Sequence, residues 1–266
     1  FGRLFRLDMD RWPKRKVRFK KDTYNGMRWN RGDFILWHGH KEGDLSVWDT
    51  AIGRGRPSWN IQDPAMIAQH LGLQIDINCG GIDNIYRHHD YNIAVMESYS
   101  GKIFAAFYLH GEHLVVDGRK MSKSKGNILY PEHVYKKGYT PAHLRFFLTA
   151  TAWYRKKLNF TWERFAASAA RLDRFHETLA SLLACRGAET SREALRLVAG
   201  LAATFEAAMD DDLHLAVAFD AIEKTARQLQ RLARTGKFGK AGAGRLKAAL
   251  KRLDTVAQFM LPRPTR

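Results

Sequence analysis

The chain has 266 residues, enough to bury a sizeable hydrophobic core in one large domain or two smaller ones. Hydrophobic residues make up 45% of it and charged residues 27%, a composition that argues against intrinsic disorder. No apolar run approaches the roughly 20 residues needed to cross a bilayer, and the first residues lack the apolar stretch of a signal peptide, so we expect a cytoplasmic protein with no membrane partner.

The charge is strongly basic: 44 Lys and Arg against 27 Asp and Glu give a formal net charge of +17. Such a field attracts polyanions by steering and by counterion release, which favours a nucleic-acid partner over a merely solvated basic surface. The two cysteines, Cys79 and Cys185, are not spaced as a pair, which predicts neither a disulfide framework nor a complete cysteine zinc site.

The first 139 residues combine a loop-rich start with an α/β pattern. Trp29, Trp37, Trp48 and Trp59 are spread between turn residues, as is typical of an insertion anchored to a core by indole rings. Short apolar runs bounded by glycine predict buried strands over residues 75–79, 103–109 and 113–116. Helices are predicted over residues 63–71, with Pro64 in the first turn, and over residues 88–99.

Long Ala- and Leu-rich patterns with helical spacing begin near residue 140, where we place a domain boundary. Thr140 and Thr161 are predicted N-caps of two helices, the second ending near Cys185. Thr190 opens a capping-box pattern for a third helix, residues 210–212 are predicted to cap a fourth over 213–233, and a Gly- and Lys-rich loop over 236–244 precedes a fifth over 245–259. The predicted fold is therefore α/β over residues 1–139, followed by an all-α bundle over residues 140–266.

The strongest chemical signal is a loop of lysines and hydroxyl residues ahead of glycine, Lys120-Met121-Ser122-Lys123-Ser124. Two lysines three apart on such a loop can close over a triphosphate and balance the charge that builds up as pyrophosphate leaves. Lysine suits this role because its ammonium is a compact, mobile point charge. The residues alone leave an ordinary basic loop open as the alternative.

This run resembles the Lys-Met-Ser-Lys-Ser (KMSKS) signature of class I aminoacyl-tRNA synthetases, and its surroundings resemble the cysteinyl-tRNA synthetase family in order and spacing. The matching segments, which cover nearly the whole chain, are residues 34–37, 53–59, 76–77, 80–83, 87–89, 116–119, 159–160 and 209–212. The resemblance implies the second half of a Rossmann-like catalytic domain followed by a helical tRNA-binding bundle. It also implies ATP with Mg²⁺ as a substrate and tRNA as a partner.

A glycine pair followed by an acid, Gly80-Gly81-Ile82-Asp83, comes directly after a predicted strand. Glycines there allow close backbone approach and the carboxylate can accept hydrogen bonds from a ribose, although a simple turn capped by Asp fits the residues equally well. The resemblance implies that this turn binds adenosine and that Trp59 walls the amino-acid pocket. The ATP-binding residues it implies are Gly80, Gly81, Asp83, Met121, Ser122 and Ser124, with Lys120 and Lys123 as the catalytic pair.

The zinc ligands are the first departure from the family pattern. The resemblance places three of the four ligand positions in this chain, at Asp63, His88 and Asn92, where the family has a cysteine, a histidine and a glutamate. Zinc takes Cys, His and carboxylate ligands readily but an amide poorly. We therefore expect this degenerate site to hold no zinc.

The second departure is the first half of the catalytic domain, which in the family carries an ATP-binding His-x-Gly-His element. The runs over residues 38–40 and 110–113 offer no substitute, because neither opens a strand-to-helix turn at the start of a nucleotide fold. Such a half could precede this chain in the same gene, belong to a separate partner chain, or be absent.

A basic stripe closes the sequence. Residues 224–252 hold ten Lys or Arg and no Asp or Glu, and Lys224, Arg227, Arg231 and Arg234 share a helix face through spacings of three and four. The alternative is an ordinary solvent-exposed helix face, but such a face normally carries both positive and negative side chains. We predict that this stripe follows the phosphates of tRNA.

Three functions remain open. The first is a cysteinyl-tRNA synthetase-like ligase that activates an amino acid with ATP and attaches it to tRNA, incomplete in this chain. The second is a non-catalytic remnant that binds tRNA or forms a complex. The third is a ligase that joins an amino acid to a non-tRNA acceptor, for which the basic stripe would be unnecessary.

Overall fold

The computed structural model describes residues 2–6, 33–122 and 126–262. The chain divides into two compact units, Phe1–Gly111 and Glu112–Arg266. This division lies before the predicted boundary at residue 140, because the strand Leu114–Val116 pairs in parallel with the strand Leu158–Phe160. Residues 112–139 therefore belong to the unit that holds the helical bundle, and not to the first unit as the composition predicts.

In its described residues, 2–6 and 33–111, the first unit contains two small sheets and two α-helices. Strands β1 (Trp37–Gly39) and β2 (Gly55–Pro57) form an antiparallel pair that the sequence did not predict. Strands β3 (Ile75–Gly81) and β4 (Ala105–Gly111) confirm two predicted strands and pair in parallel. The helices are α1 (Trp59–His70) and α2 (Asp90–Ser100), and α2 lies in the connection between β3 and β4.

Both helices begin at residues other than the predicted ones. Helix α1 begins earlier because Ser58 is its N-cap, with the Ser58 hydroxyl accepting the backbone N–H of Asn60 at 3.1 Å. Pro64 therefore lies inside α1 and not in its first turn. Helix α2 begins later because a tight turn over Ile85–His89 precedes it, with Arg87 at a φ of 77°.

Among the described residues, one face of the β3–β4 sheet is covered and the other is bare. Helix side chains cover the first through a small core that includes Ile93, Met96 and Phe104. Ile77 and Phe107, which are register partners, are 53% and 67% exposed. Parallel sheets normally have both faces covered, so this sheet presents an unfinished apolar surface. No third strand pairs with it among the described residues.

The second unit opens with a three-stranded sheet in the order β6-β5-β7. Strands β5 (Leu114–Val116) and β6 (Arg119–Lys120) are antiparallel, and β7 (Leu158–Phe160) is parallel to β5. Asp117 and Gly118 connect β5 to β6 with φ values of 48° and 72°. Two consecutive positive φ angles define the tight hairpin turn that suits an Asp-Gly pair.

Six helices follow in the second unit, and they confirm the predicted all-α region. They are α3 (Pro131–Tyr135), α4 (Pro141–Ala150), α5 (Trp162–Leu183), α6 (Arg192–Asp210), α7 (Leu215–Arg234) and α8 (Lys240–Ala257). The predicted N-caps of α4 and α5 are confirmed, since Thr140 accepts the N–H of His143 and Thr161 accepts the N–H of Arg164.

The predicted cap of α6 is wrong. Ser191 caps this helix, and the Thr190 hydroxyl instead accepts the N–H groups of Gly239 and Gly242 at 3.2 Å each. The loop predicted up to residue 244 ends early for the same reason, because Gly242 packs against Phe238 and Thr190 inside α8. A Cβ at Gly242 would lie only 2.6 Å from the Phe238 ring.

The acids at 210–212 do not cap α7 as predicted. Asp210 ends α6, and the N-cap position of α7 is His214, whose side chain makes no capping hydrogen bond. Asp212 serves the loop after α4 instead: its carbonyl accepts the Trp153 indole N–H at 2.9 Å, and its carboxylate accepts the Tyr154 hydroxyl at 2.7 Å. Asp212 therefore forms hydrogen bonds with residues distant in sequence and does not cap α7 as the local pattern predicts.

Four phenylalanines lie at the centre of the bundle and are essentially fully buried. The Phe219 ring centroid lies 4.6 Å from Phe146, 5.0 Å from Phe175 and 5.7 Å from Phe259. These edge-on contacts join α4, α5, α7 and the segment after α8 in one core.

We predict that Phe219→Ala lowers the free energy of unfolding of the bundle by about 3–5 kcal/mol, because it leaves a cavity among three other rings. Urea unfolding followed by helical circular dichroism measures this loss. Val217→Ala is the matched control on the same helix, since Val217 is 49% exposed. Equal losses in the two variants would contradict the assigned core.

Candidate functional site

His88 holds a central place among the site residues of the first unit. Its Nε2 lies 2.9 Å from Oδ2 of Asp63, and its ring stacks on the Trp59 indole with centroids 4.7 Å apart and an interplanar angle of 14°. Asp63 and Trp59 are both supplied by α1, whose early start at Ser58 places Trp59 in the first turn. Helix α1 therefore brings the predicted pocket wall, Trp59, and one predicted metal position, Asp63, against a second, His88.

Asn92, the third predicted metal position, lies one helical turn after His88 and is 2% exposed. Its Oδ1 atom and the His88 Nδ1 atom are both buried without a hydrogen-bond partner in the structure. Buried polar groups are nearly always hydrogen-bonded, so each of these two atoms is one that a water or a ligand would pair with.

A second histidine contact was not predicted. His89 Nδ1 lies 2.7 Å from His110 Nε2, and His110 is the register partner of Gly80 in the β3–β4 sheet. A Cβ at Gly80 would lie 2.7 Å from the His89 ring, so only glycine permits this packing. The signal that could have found the contact is the parallel register itself, which sets His110 beside the glycine pair.

Burial lowers the pKa of His89 to about 4, with the neighbouring His110 and His88 acting in the same direction. Burial also lowers the pKa of His110. His89 is 3% exposed and is therefore a neutral ring at the end of β3. The pair belongs to the packing beneath the Gly80-Gly81 turn.

Gly81 allows a second close approach, since a Cβ there would lie 2.7 Å from Oδ1 of Asp83. Asp83 lies in the single helical turn Ile82–Asn84 that follows β3 directly. The predicted adenosine-binding turn therefore lies at the end of β3, and the Asp83 carboxylate folds back over Gly81. Adenosine binding by this turn stays a prediction.

The lysine loop lies in the second unit and begins where β6 ends at Lys120. The Asn127 side chain bridges the base of the loop: its Oδ1 accepts the N–H of Ser122 at 2.9 Å, and its Nδ2 donates to the carbonyl of Lys120 at 3.3 Å. Met121 is half-buried at the start of the loop. Lys123 and Ser124, like Trp29, lie outside the described residues.

All ten basic side chains of the stripe over residues 224–252 are exposed on α7, on α8 and in their connection. Arg227 pairs with Glu223 at 2.8 Å and Arg252 pairs with Glu206 at 2.6 Å. Within the described ranges Lys224, Arg231 and Arg234 make no ion pair, so their charges remain available to a polyanion.

Comparison with known proteins places these features in a family. Residues 7–170, more than half of the chain, match the family described as the tRNA synthetases class I (C) catalytic domain. The chain belongs to this family. The helical bundle after residue 170 lies beyond the matched region, while the lysine loop and the β3–β4 turn lie within it.

Curated relatives extend the similarity over almost the whole chain. The cysteine–tRNA ligase of Solibacter usitatus is 35% identical over 97% of this chain, which covers 52% of that relative. The cysteine–tRNA ligase of Chlamydia pneumoniae is 32% identical over 96% of this chain, which covers 54% of it. The chain therefore spans about half the length of the curated relatives it matches.

A solved structure supports the fold alone. The LeuRS of Agrobacterium radiobacter K84, in a ternary complex with tRNA and LeuAMS, matches 70% of this chain and 26% of its own chain. The TM-score is 0.56 and the sequence identity 20%. This match agrees with a mixed α/β region followed by helices. In the ranges that the structure describes, no helix is long and apolar enough to span a membrane.

We predict that His89 makes the first unit less stable as the pH falls from 6.5 towards 4. In this window His89 is protonated in the unfolded protein but stays neutral in the folded protein, because folding lowers its pKa to about 4. Above pH 6.5 the imidazole is mostly neutral in both states, so it no longer affects stability. The loss reaches about 3 kcal/mol at the lower end. Urea unfolding followed by the NMR signals of β3 and β4 amides measures it. His89→Gln should flatten this pH dependence, whereas the exposed control His70→Gln should not. An unchanged slope in His89→Gln would contradict the assignment.

Proposed function

We propose that this chain is the closing half of the catalytic domain, together with the tRNA-binding bundle, of a class I aminoacyl-tRNA ligase. Its reaction would be the ATP-dependent activation of an amino acid and its attachment to tRNA. The observation that carries the proposal is the lysine loop, fixed at its base by Asn127 within the matched catalytic domain. A cytoplasmic location stays a prediction.

In this proposal the roles follow charge and geometry. Lys120 and Lys123 neutralise the negative charge that grows on the pyrophosphate leaving ATP. Asp83 accepts hydrogen bonds from the ribose hydroxyls at the end of β3, and Trp59 walls the amino-acid pocket beside His88. Mg²⁺ enters with ATP as part of the substrate.

In this proposal the nucleotide site needs further strands beyond those found in the described residues. Support comes from the bare face of the β3–β4 sheet, on which Ile77 and Phe107 are exposed, and from relatives about twice as long as the matched segment. We propose that the first half of the catalytic domain covers this face, either from the same gene product or from a separate partner chain.

A non-catalytic tRNA-binding remnant is the second candidate. The replacement of two zinc ligands by Asp63 and Asn92 favours it, because the metal-based selection of a thiol would be lost. A ligase with a non-tRNA acceptor gains no support, since the exposed all-basic stripe would then have no purpose.

We predict that the chain alone will not catalyse amino-acid-dependent exchange of pyrophosphate into ATP, because it carries only part of the nucleotide site. Radiolabelled pyrophosphate exchange with each of the twenty amino acids tests this. Exchange above background that disappears when Lys120 and Lys123 are both changed to Ala would show a complete site and contradict the prediction.

We predict that tRNA binds the stripe largely through its phosphates. Four to six phosphate contacts should give a log-log salt slope of roughly −3 to −5. Changing Lys224, Arg227, Arg231 and Arg234 together to Gln should weaken binding and flatten the slope by about three, with little change in helix propensity.

The control for this variant is the pair Arg192→Gln and Arg196→Gln, which removes exposed charge at the start of α6. It should leave the slope nearly unchanged. Fluorescence anisotropy of labelled tRNA over a salt series gives both slopes, and circular dichroism verifies helicity. Equal slopes in the stripe variant and the unmodified chain would show that the stripe is only a solvated surface.

A further inference from the structure

The three positions where the family holds zinc carry a different set of donor groups in this chain. His88 offers Nε2 to the Asp63 carboxylate at 2.9 Å, and Asn92 presents an amide in place of a carboxylate. An amide is a poor zinc ligand, and a carboxylate hydrogen-bonded to the histidine takes the place of a thiolate. Among the described residues no group of three or more His, Cys, Asp or Glu could hold a metal ion.

Two buried polar atoms of these residues have no hydrogen-bond partner within the protein. His88 Nδ1 and Asn92 Oδ1 are buried and have no partner, and Asn92 is 2% exposed. If His88 donates its Nε2–H to Asp63, Nδ1 is an acceptor, and the amide oxygen is always one. The Asp63 side chain, 43% exposed, adds further carboxylate lone pairs that face solvent. The cluster is therefore rich in hydrogen-bond acceptors, and a ligand that donates hydrogen bonds would complement it.

Charge points to the same class of ligand. A thiolate placed against the Asp63 carboxylate, with no cation between them, would meet a like charge. A hydroxyl or an ammonium group can donate to Asp63 and to the buried acceptors. The Trp59 indole, stacked on His88 at 4.7 Å and 50% exposed, fixes the imidazole plane and leaves an apolar surface for the ligand's methylene.

We infer that Asp63, His88, Asn92 and Trp59 form a metal-free side-chain subsite that recognises its amino acid by hydrogen bonds. The substrate class is an amino acid whose short side chain donates a hydrogen bond through a hydroxyl or ammonium group, and not a thiolate. The inference rests on the proposed function, because it takes Trp59 as a wall of the amino-acid pocket.

Metal analysis gives the first test. The full chain purified without chelator should contain no stoichiometric zinc, whereas the double variant D63C/N92E should gain one zinc, because Cys, His and Glu then supply three ligands. Adding His88→Ala to that variant should remove the metal. One zinc in the unmodified chain that is lost in His88→Ala would overturn the inference. So would the absence of zinc in a folded D63C/N92E chain, since the positions would then not converge.

Ligand binding gives the second test and does not depend on the folding of the double variant. We would titrate the full chain, with ¹⁵N-labelled histidines, with L-serine, L-2,3-diaminopropionate and L-cysteine in the presence of EDTA. Serine or diaminopropionate should shift the ¹⁵N NMR signals of the His88 ring. One of them should bind at least tenfold more tightly than cysteine. The comparison of these two ligands separates a hydroxyl substrate from an ammonium substrate.

Asp63→Ala should abolish these shifts, while the exposed control Gln69→Ala on the same helix should retain them. Cysteine binding as tightly as the other two, or no shift with any of the three, would overturn the inference. The tRNA salt series tests the proposed function separately, so a chain that binds tRNA without selecting these amino acids would refute the subsite alone.

Discussion

Parallel strands pack side chains on both faces of their sheet, and β3 with β4 has only one face covered in the residues that the structure describes. The bare face carries Ile77 and Phe107, and the carboxyl end of β3 carries the turn with Gly80 and Asp83. Ligands of α/β folds bind outside the carboxyl ends of such strands. We propose that this edge of the sheet forms one side of a nucleotide site; the chain spans about half the length of its curated relatives.

Much of this architecture could be predicted from local patterns. Helical spacing together with Thr140 and Thr161 was enough to predict where α4 and α5 begin, because each threonine caps its helix through a residue only three positions later. Thr190 misled the prediction, since its hydroxyl bonds residues almost fifty positions away. The hydrogen bond between His89 and His110 was equally beyond local reasoning, because it depends on the parallel register of two strands. Both features were missed because they depend on hydrogen bonds between residues that are far apart in the sequence.

The side chains of Asp63, Trp59 and His88 lie together in the first unit. The family resemblance assigned Trp59 to the amino-acid pocket and Asp63 and His88 to the degenerate metal site, and these roles stay predictions. In the structure Asp63 and Trp59 both contact His88. Only the structure could show that Asp63 bonds His88 directly and that buried acceptors remain open beside it. The exposed stripe on α7 and α8 keeps the electrostatic character that a polyanionic partner requires.

The most direct test of the central claim, that this chain is the closing half of a class I catalytic domain, is hydrogen exchange at the backbone amides of β3 and β4. The exchange rates would be measured alone and after mixing with the half of the Solibacter usitatus relative that this chain does not cover. The account predicts at least tenfold slower exchange in both strands, and loss of that protection in Ile77→Asp. Unchanged exchange at saturating concentrations would contradict the account.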